Sequence, residues 1–139
     1  MHLVSIKRHF NAAHKLYNPS WSKEKNIEIF GPCANEHWHG HNFELITSVI
    51  GDANAITGFV IDPNELGELI EAEIIEKVDH KNLNLDVPFM EGKLGSCENL
   101  IVEFWKILQP KIAALEPGSR LHRLRLYETP RNFVDYYGE

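Results

Sequence analysis

An α+β domain of order β-β-α-α-β-β is what the sequence predicts, with an antiparallel four-stranded sheet and two helices on one face. Three observations carry this expectation. Two alternating apolar-polar runs, His2–His14 and roughly His41–Gly51, open the chain; two stretches with apolar residues at helical spacing follow; a second pair of alternating runs closes it. At 139 residues the chain suits one domain, residues 1–139, long enough to bury roughly two thirds of its unfolded surface.

In the first run Val4, Ile6, Phe10 and Ala12 share a face with His14, while Ser5, Lys7, His9 and Asn11 take the other. Asn18 to Gly31 holds Pro19 and several charges without a clear period, and reads as a long loop. In the second strand Phe43, Leu45, Thr47 and Val49 continue the face of His41. A turn over 52–58 and a short strand at Phe59–Ile61 come next. Asp62-Pro63-Asn64-Glu65 is a helix start: Asp62 as N-cap, proline in the first turn, Glu65 completing a capping box. Leu66, Leu69, Ile70, Ile74 and Val78 form that helix's stripe, which ends near Asp79-His80. Pro88, Gly92 and Gly95 keep 80–95 irregular. Ser96 caps a second helix carrying Leu100, Ile101, Phe104, Trp105, Leu108 and Ile112, which Pro110 should kink or shorten. Glu116-Pro117-Gly118 is a stop, and Leu121–Glu128 and Phe133–Tyr137 are the closing strands.

Composition narrows the function. A formal net charge of -6, with no basic run longer than two residues, argues against a general nucleic-acid binder. No run is long and apolar enough to span a bilayer, and no N-terminal stretch resembles a signal peptide. Two cysteines do not make a disulfide framework. The expectation is a cytoplasmic protein with free thiols.

The chemistry concentrates between Cys33 and His41. His39 and His41 lie two apart and so share a strand face, a good start on a zinc site. A third ligand is required, and His14, at the end of an inward-facing row, is the first choice. His37 has the same parity as His39 and His41, so spacing alone also admits the set 37, 39, 41. Cys33, in a Gly31-Pro32 turn, is either a small buried hydrophobe or, beside a metal or a histidine, a thiolate base. Cys97, behind the N-cap Ser96, is a weaker candidate of the same kind. Asp79-His80 is either a plain helix end or part of a proton relay with a thiol. Glu128 shares the face of Leu124 and Leu126, and an inward carboxylate requires partners. A ligand with two N–H donors, such as a guanidine-like heterocycle, would satisfy it.

Taken together these residues resemble the family of 6-pyruvoyl-tetrahydropterin synthase and its relative 6-carboxytetrahydropterin synthase. The matching pieces are Phe10-Asn-Ala-Ala-His14, Cys33 with His39-Gly-His41-Asn-Phe43, Gly58-Phe-Val-Ile-Asp62, Asp79-His-Lys-Asn-Leu83, Glu98-Asn-Leu100, Tyr127-Glu-Thr129 and Tyr137-Gly-Glu139. The resemblance implies the tunnelling fold (T-fold), trimeric barrels stacked as hexamers, and Zn2+ on His14, His39 and His41. It implies Cys33 as proton-abstracting base with Asp79 and His80 as relay partners. Glu128 would anchor a pterin ring, and Ser96, Cys97 and Glu98 would line the substrate site. Two departures stand out: Cys97 follows Ser96 where many members carry two hydroxyl residues, and His37-Trp38 occupies the Cys-to-His spacer.

The substrate so implied is 7,8-dihydroneopterin triphosphate. Five residues between Cys33 and His39 match the pyruvoyl branch, which releases triphosphate. The alternative carboxy branch, serving a deazapurine (queuosine) route, often has three and also releases acetaldehyde. A pterin-binding module would leave Cys33, Asp79 and His80 without a joint task. A zinc hydrolase would need a base such as Glu36 or Glu44.

Overall fold

The computed structural model describes residues 1–139. Its elements are β1 (His2–His14), α1 (Lys23–Phe30), a 3-10 turn (Gly31–Ala34), β2 (His39–Gly51) and α2 (Pro63–Ile70). A π-helical turn (Glu71–Ile75) carries α2 into α3 (Glu76–Val78), followed by β3 (Lys81–Asn82) and a second 3-10 turn (Pro88–Met90). Then come α4 (Cys97–Leu115), β4 (Arg120–Tyr127) and β5 (Phe133–Tyr136). The α+β architecture and the order of the main elements are as expected. The sheet has five strands, ordered β3-β1-β2-β4-β5. Four form an antiparallel meander-like core, and the two-residue β3 pairs parallel with β1. That fifth strand is too short to carry an alternation, so nothing in its sequence marks it.

Other departures have local causes. The stretch read as a long loop contains α1, whose stripe is weak because a polar residue holds it. Asn26 is fully buried, and its amide joins the backbone of Asn18 on one side and Ser22 on the other. Phe59–Ile61 is not a strand: Val60 and Ile61 are buried core residues in a bent segment. Pro110 does not end α4, which continues to Leu115. Both Pro110 and Lys106, whose carbonyl loses its helical partner, face solvent, so water can satisfy the freed group. No helix is long and apolar enough to cross a membrane.

Both helix starts follow from capping. Asp62 accepts from the Asn64 amide (2.8 Å), and Ser96 accepts from the Asn99 amide (3.3 Å). The apolar stripes of α2 and α4 then cover one face of the sheet. Phe10 and Phe43 stack across the β1–β2 pair with centroids 4.8 Å apart, and Phe104 of α4 meets Phe10 edge-on at 6.0 Å. This aromatic cluster lies directly beneath the histidine-bearing end of the sheet.

At the far edge, Arg125 of β4 grips Asp135 of β5 through two bonds of 2.7 Å, with the guanidinium over the Phe133 ring. Bonding to Arg125 holds the Asp135 carboxyl below its ordinary value of 3.8. A carboxylate lowered in the folded state stabilises fully above that ordinary value, and loses its contribution as pH falls through the folded one. Asp135→Asn should therefore lower the melting temperature by roughly a few degrees at neutral pH. The gap from the parent should narrow below about pH 4. Thermal melts of both proteins across pH test this, and a gap independent of pH would rule the ion pair out as its source.

Candidate metal centre

Strand register builds the site. In the antiparallel β1–β2 pair His14 faces His39, Ala12 faces His41, and Phe10 faces Phe43. Directly opposed residues point to the same side, so all three imidazoles leave the helix-bearing face. Their centroids lie 4.6 Å (14–39), 5.1 Å (14–41) and 5.0 Å (39–41) apart. Gly40 sits within this register without a bulge, and a Cβ there would lie 3.3 Å from the Ala12 carbonyl oxygen. His37 is excluded by the same geometry. It lies in an exposed turn before β2, and Trp38 takes a left-handed conformation (φ 68°) that ends the alternation just ahead of His39.

The three rings suit a metal ion. His14 is 2 % exposed, and its Nδ1–H donates to the Gly95 carbonyl at 2.7 Å, leaving the Nε2 lone pair aimed into the cluster. His14 Nε2, His39 Nδ1 and His41 Nε2 are all buried without a hydrogen-bond partner. Three buried ring nitrogens without a well-formed hydrogen bond, two of them approached only by the Glu128 carboxylate, are costly unless a cation binds among them. Burial, foremost, lowers the pKa of each histidine. Neutral imidazole is the form that ligates.

Glu128 completes the group. Just past β4, it continues the face of Leu124 and Leu126, as expected. Its Oε1 lies 2.9 Å from His41 Nε2 and 3.4 Å from His14 Nε2. The ligating atoms of His14, His39, His41 and Glu128 all fall within 4.8 Å of one another. Cys97 supports the carboxylate from α4, its thiol donating to Glu128 Oε2 at 3.6 Å. Burial, followed by the negative charge of Glu128, pushes the Cys97 thiol far above its usual range. Cys97 is therefore a thiol donor rather than a thiolate. His41 and Glu128 also line an open cleft of about 690 Å3, shared with Lys7, His9, Tyr127 and Thr129.

The remaining candidates stand apart from this group. Cys33 lies in the 3-10 turn, partly exposed, with its carbonyl accepting from the Leu16 amide at 2.7 Å. Asp79 caps α3, and its carboxylate takes the Asn11 amide (2.8 Å) and lies 3.0 Å from His80 Nδ1. The Asn11 bond is the main reason its pKa is lowered. His80 adopts φ 58° and its side chain is 83 % exposed, so the Asp79–His80 pair is preformed and faces outward. No hydrogen bond or ion pair joins either pair member, or Cys33, to the histidine cluster. Ser96 spends its hydroxyl on capping α4, and Glu98 lies in the first turn of that helix. Glu44 points away from the cluster and pairs with Lys7 at 3.4 Å, and Glu36 is exposed in the turn before β2. Neither makes a hydrogen bond or ion pair to the histidine cluster, although Glu44 lines the same cleft.

The model of the 6-pyruvoyl tetrahydropterin synthase family matches residues 3–139. The chain belongs to that family. The human protein named 6-pyruvoyl tetrahydrobiopterin synthase is 37% identical over 136 residues, covering 98% of this chain and 91% of that protein. The Dictyostelium discoideum protein of the same name is 36% identical over 137 residues, covering 99% and 96%. Among solved structures, 6-pyruvoyl tetrahydropterin synthase of Caenorhabditis elegans superposes with a TM-score of 0.83 at 30% identity, covering 100% of this chain and 98% of that one. The T-fold reading and the family reading of the sequence both hold, and membership makes this protein a lyase of the 6-pyruvoyl-tetrahydropterin synthase type.

Two features of this family member escaped the sequence. One is the approach of Glu128 to the histidines themselves, since side-chain parity shows only that it points inward. The other is the Gly95 carbonyl under His14. A backbone acceptor leaves no mark on residue type.

Proposed function

We propose that the protein is a zinc-dependent lyase converting 7,8-dihydroneopterin triphosphate to 6-pyruvoyl-tetrahydropterin with loss of triphosphate. One observation carries most of this reading: His41, one of three histidines with orphaned nitrogens, shares a cleft wall with the inward carboxylate of Glu128. That pairing supports a metal position beside an acceptor for a ring bearing two N–H donors. The names of the relatives support the pyruvoyl product over the carboxy one.

In this reading His14, His39 and His41 hold the ion, and a zinc ion there supplies Lewis acidity toward the hydroxyls on the substrate's side arm. Glu128 anchors the pterin ring, helped by the Cys97 thiol, with Ser96 and Glu98 alongside at the start of α4. Cys33 removes a proton from a carbon of that arm, and the Asp79-held imidazole of His80 passes a proton toward the ring. Breaking the C–O bond that joins the arm to its phosphates then releases triphosphate. An outward-facing His80 fits a site completed by a neighbouring subunit in a hexamer of two stacked trimers. The setting is cytoplasmic.

Incubation with 7,8-dihydroneopterin triphosphate tests the reading. The expected products are triphosphate and a 6-pyruvoyl pterin, without acetaldehyde. Acetaldehyde released in step with a 6-carboxy pterin would overturn it.

A further inference from the structure

We infer that Asn84 is a positioning residue for the metal ligand His14, an inference that rests on the metal reading above. Asn84 lies in the turn after β3, two residues beyond the strand. Its own backbone is fixed: the Leu83 amide donates to the Ala13 carbonyl at 2.8 Å, and the Asn84 amide donates to Asn82 Oδ1 at 3.0 Å. Leu83 is fully buried and holds the turn against the core.

From this anchored position the Asn84 side chain touches both backbone segments that flank the His14 ring. On one side its Oδ1 accepts from the Lys15 amide and its Nδ2 donates to the Lys15 carbonyl, both at 3.2 Å. Lys15 directly follows His14, so this two-point grip extends the order of β1 one residue past the end of the strand. On the other side the same amide fills the space next to Gly95. A Cβ at Gly95 would lie 2.9 Å from Asn84 Oδ1 and 3.3 Å from Nδ2. Gly95 supplies the carbonyl that accepts from His14 Nδ1.

The arrangement explains two residue identities. Only a carboxamide both donates and accepts as the Lys15 backbone requires; aspartate would set a carboxylate against the Lys15 carbonyl. Only glycine at 95 lets the carbonyl-bearing segment close on Asn84. Position 95 does not lie in the left-handed region, so contact with Asn84 is what demands the absent side chain. The effect on His14 is preorganisation: its tautomer and ring direction are set before an ion arrives. Groups that orient a metal-bound histidine through its second nitrogen typically change metal affinity by about 10- to 100-fold.

The test is zinc affinity of the apo-protein, by competition with a chromophoric chelator, alongside apo-protein melting temperature. Asn84→Ala and Asn84→Asp should each weaken zinc binding about tenfold or more, while the apo-protein stays folded and melts no more than about a few degrees below the parent. Gly95→Ala should weaken zinc binding similarly by displacing the amide. Combined with Asn84→Ala it should add little, because the clash is gone. Parent-like zinc affinity in Asn84→Ala, or independent effects of the two substitutions that multiply, would overturn the inference. A parent protein that takes up no zinc, or His14→Ala binding zinc as the parent does, would instead sink the metal reading and this inference with it.

Discussion

His14→Ala should strip the bound metal and lower turnover by about a thousandfold or more, the scale of several kcal/mol of lost Lewis-acid stabilisation. His14 is the most buried of the three histidines, and its ring is set by the Gly95 carbonyl. Its loss removes a nitrogen no neighbour replaces, and leaves a buried carbonyl short of a partner. Metal content after gel filtration and the rate of product formation with 7,8-dihydroneopterin triphosphate are the two measurements. A variant that keeps parent-like metal content would place the ion on His39, His41 and Glu128 instead. Full activity without metal would discard the zinc role altogether.

Cys33→Ala should cost about 10^2- to 10^4-fold in turnover, the usual contribution of a positioned proton-transfer group. Metal content and binding of a non-reacting pterin should stay near parental values, because Cys33 touches neither the histidine cluster nor the cleft wall. Cys97 offers an internal contrast. Its thiol is buried and held protonated beside Glu128, whereas Cys33 is partly exposed in its turn. Mild alkylation should therefore modify Cys33 first, and activity should fall in step with that single modification, as peptide mass spectrometry would report. Turnover that survives both the substitution and the alkylation would remove Cys33 from the reaction. The base would then be sought elsewhere, beginning with the Asp79–His80 pair.

Much of this protein was legible from local chemistry. Period-2 alternation in β1, β2 and β4 and the capped stripes of α2 and α4 are determined by neighbouring residues, so the α+β order and the inward direction of His14, His39, His41 and Glu128 follow without coordinates. The ordered motifs from Phe10 to Glu139 likewise carried the family. Where local chemistry was ambiguous, reading failed: α1 is organised by one buried amide, β3 is two residues long, and Pro110 stays in its helix because the affected carbonyl faces water. Parity left His37 level with His14 as a third ligand. The tertiary structure brings His14, and not His37, beside the pair, because antiparallel register sets His14 opposite His39 while the left-handed Trp38 turns His37 out of the strand. The closeness of Glu128 to the histidines and the contacts of Gly95 with His14 and of Asn84 with Lys15 are likewise tertiary. They join positions far apart in sequence, 14 with 128, 14 with 95 and 15 with 84, through contacts that exist only once strands and turns have packed.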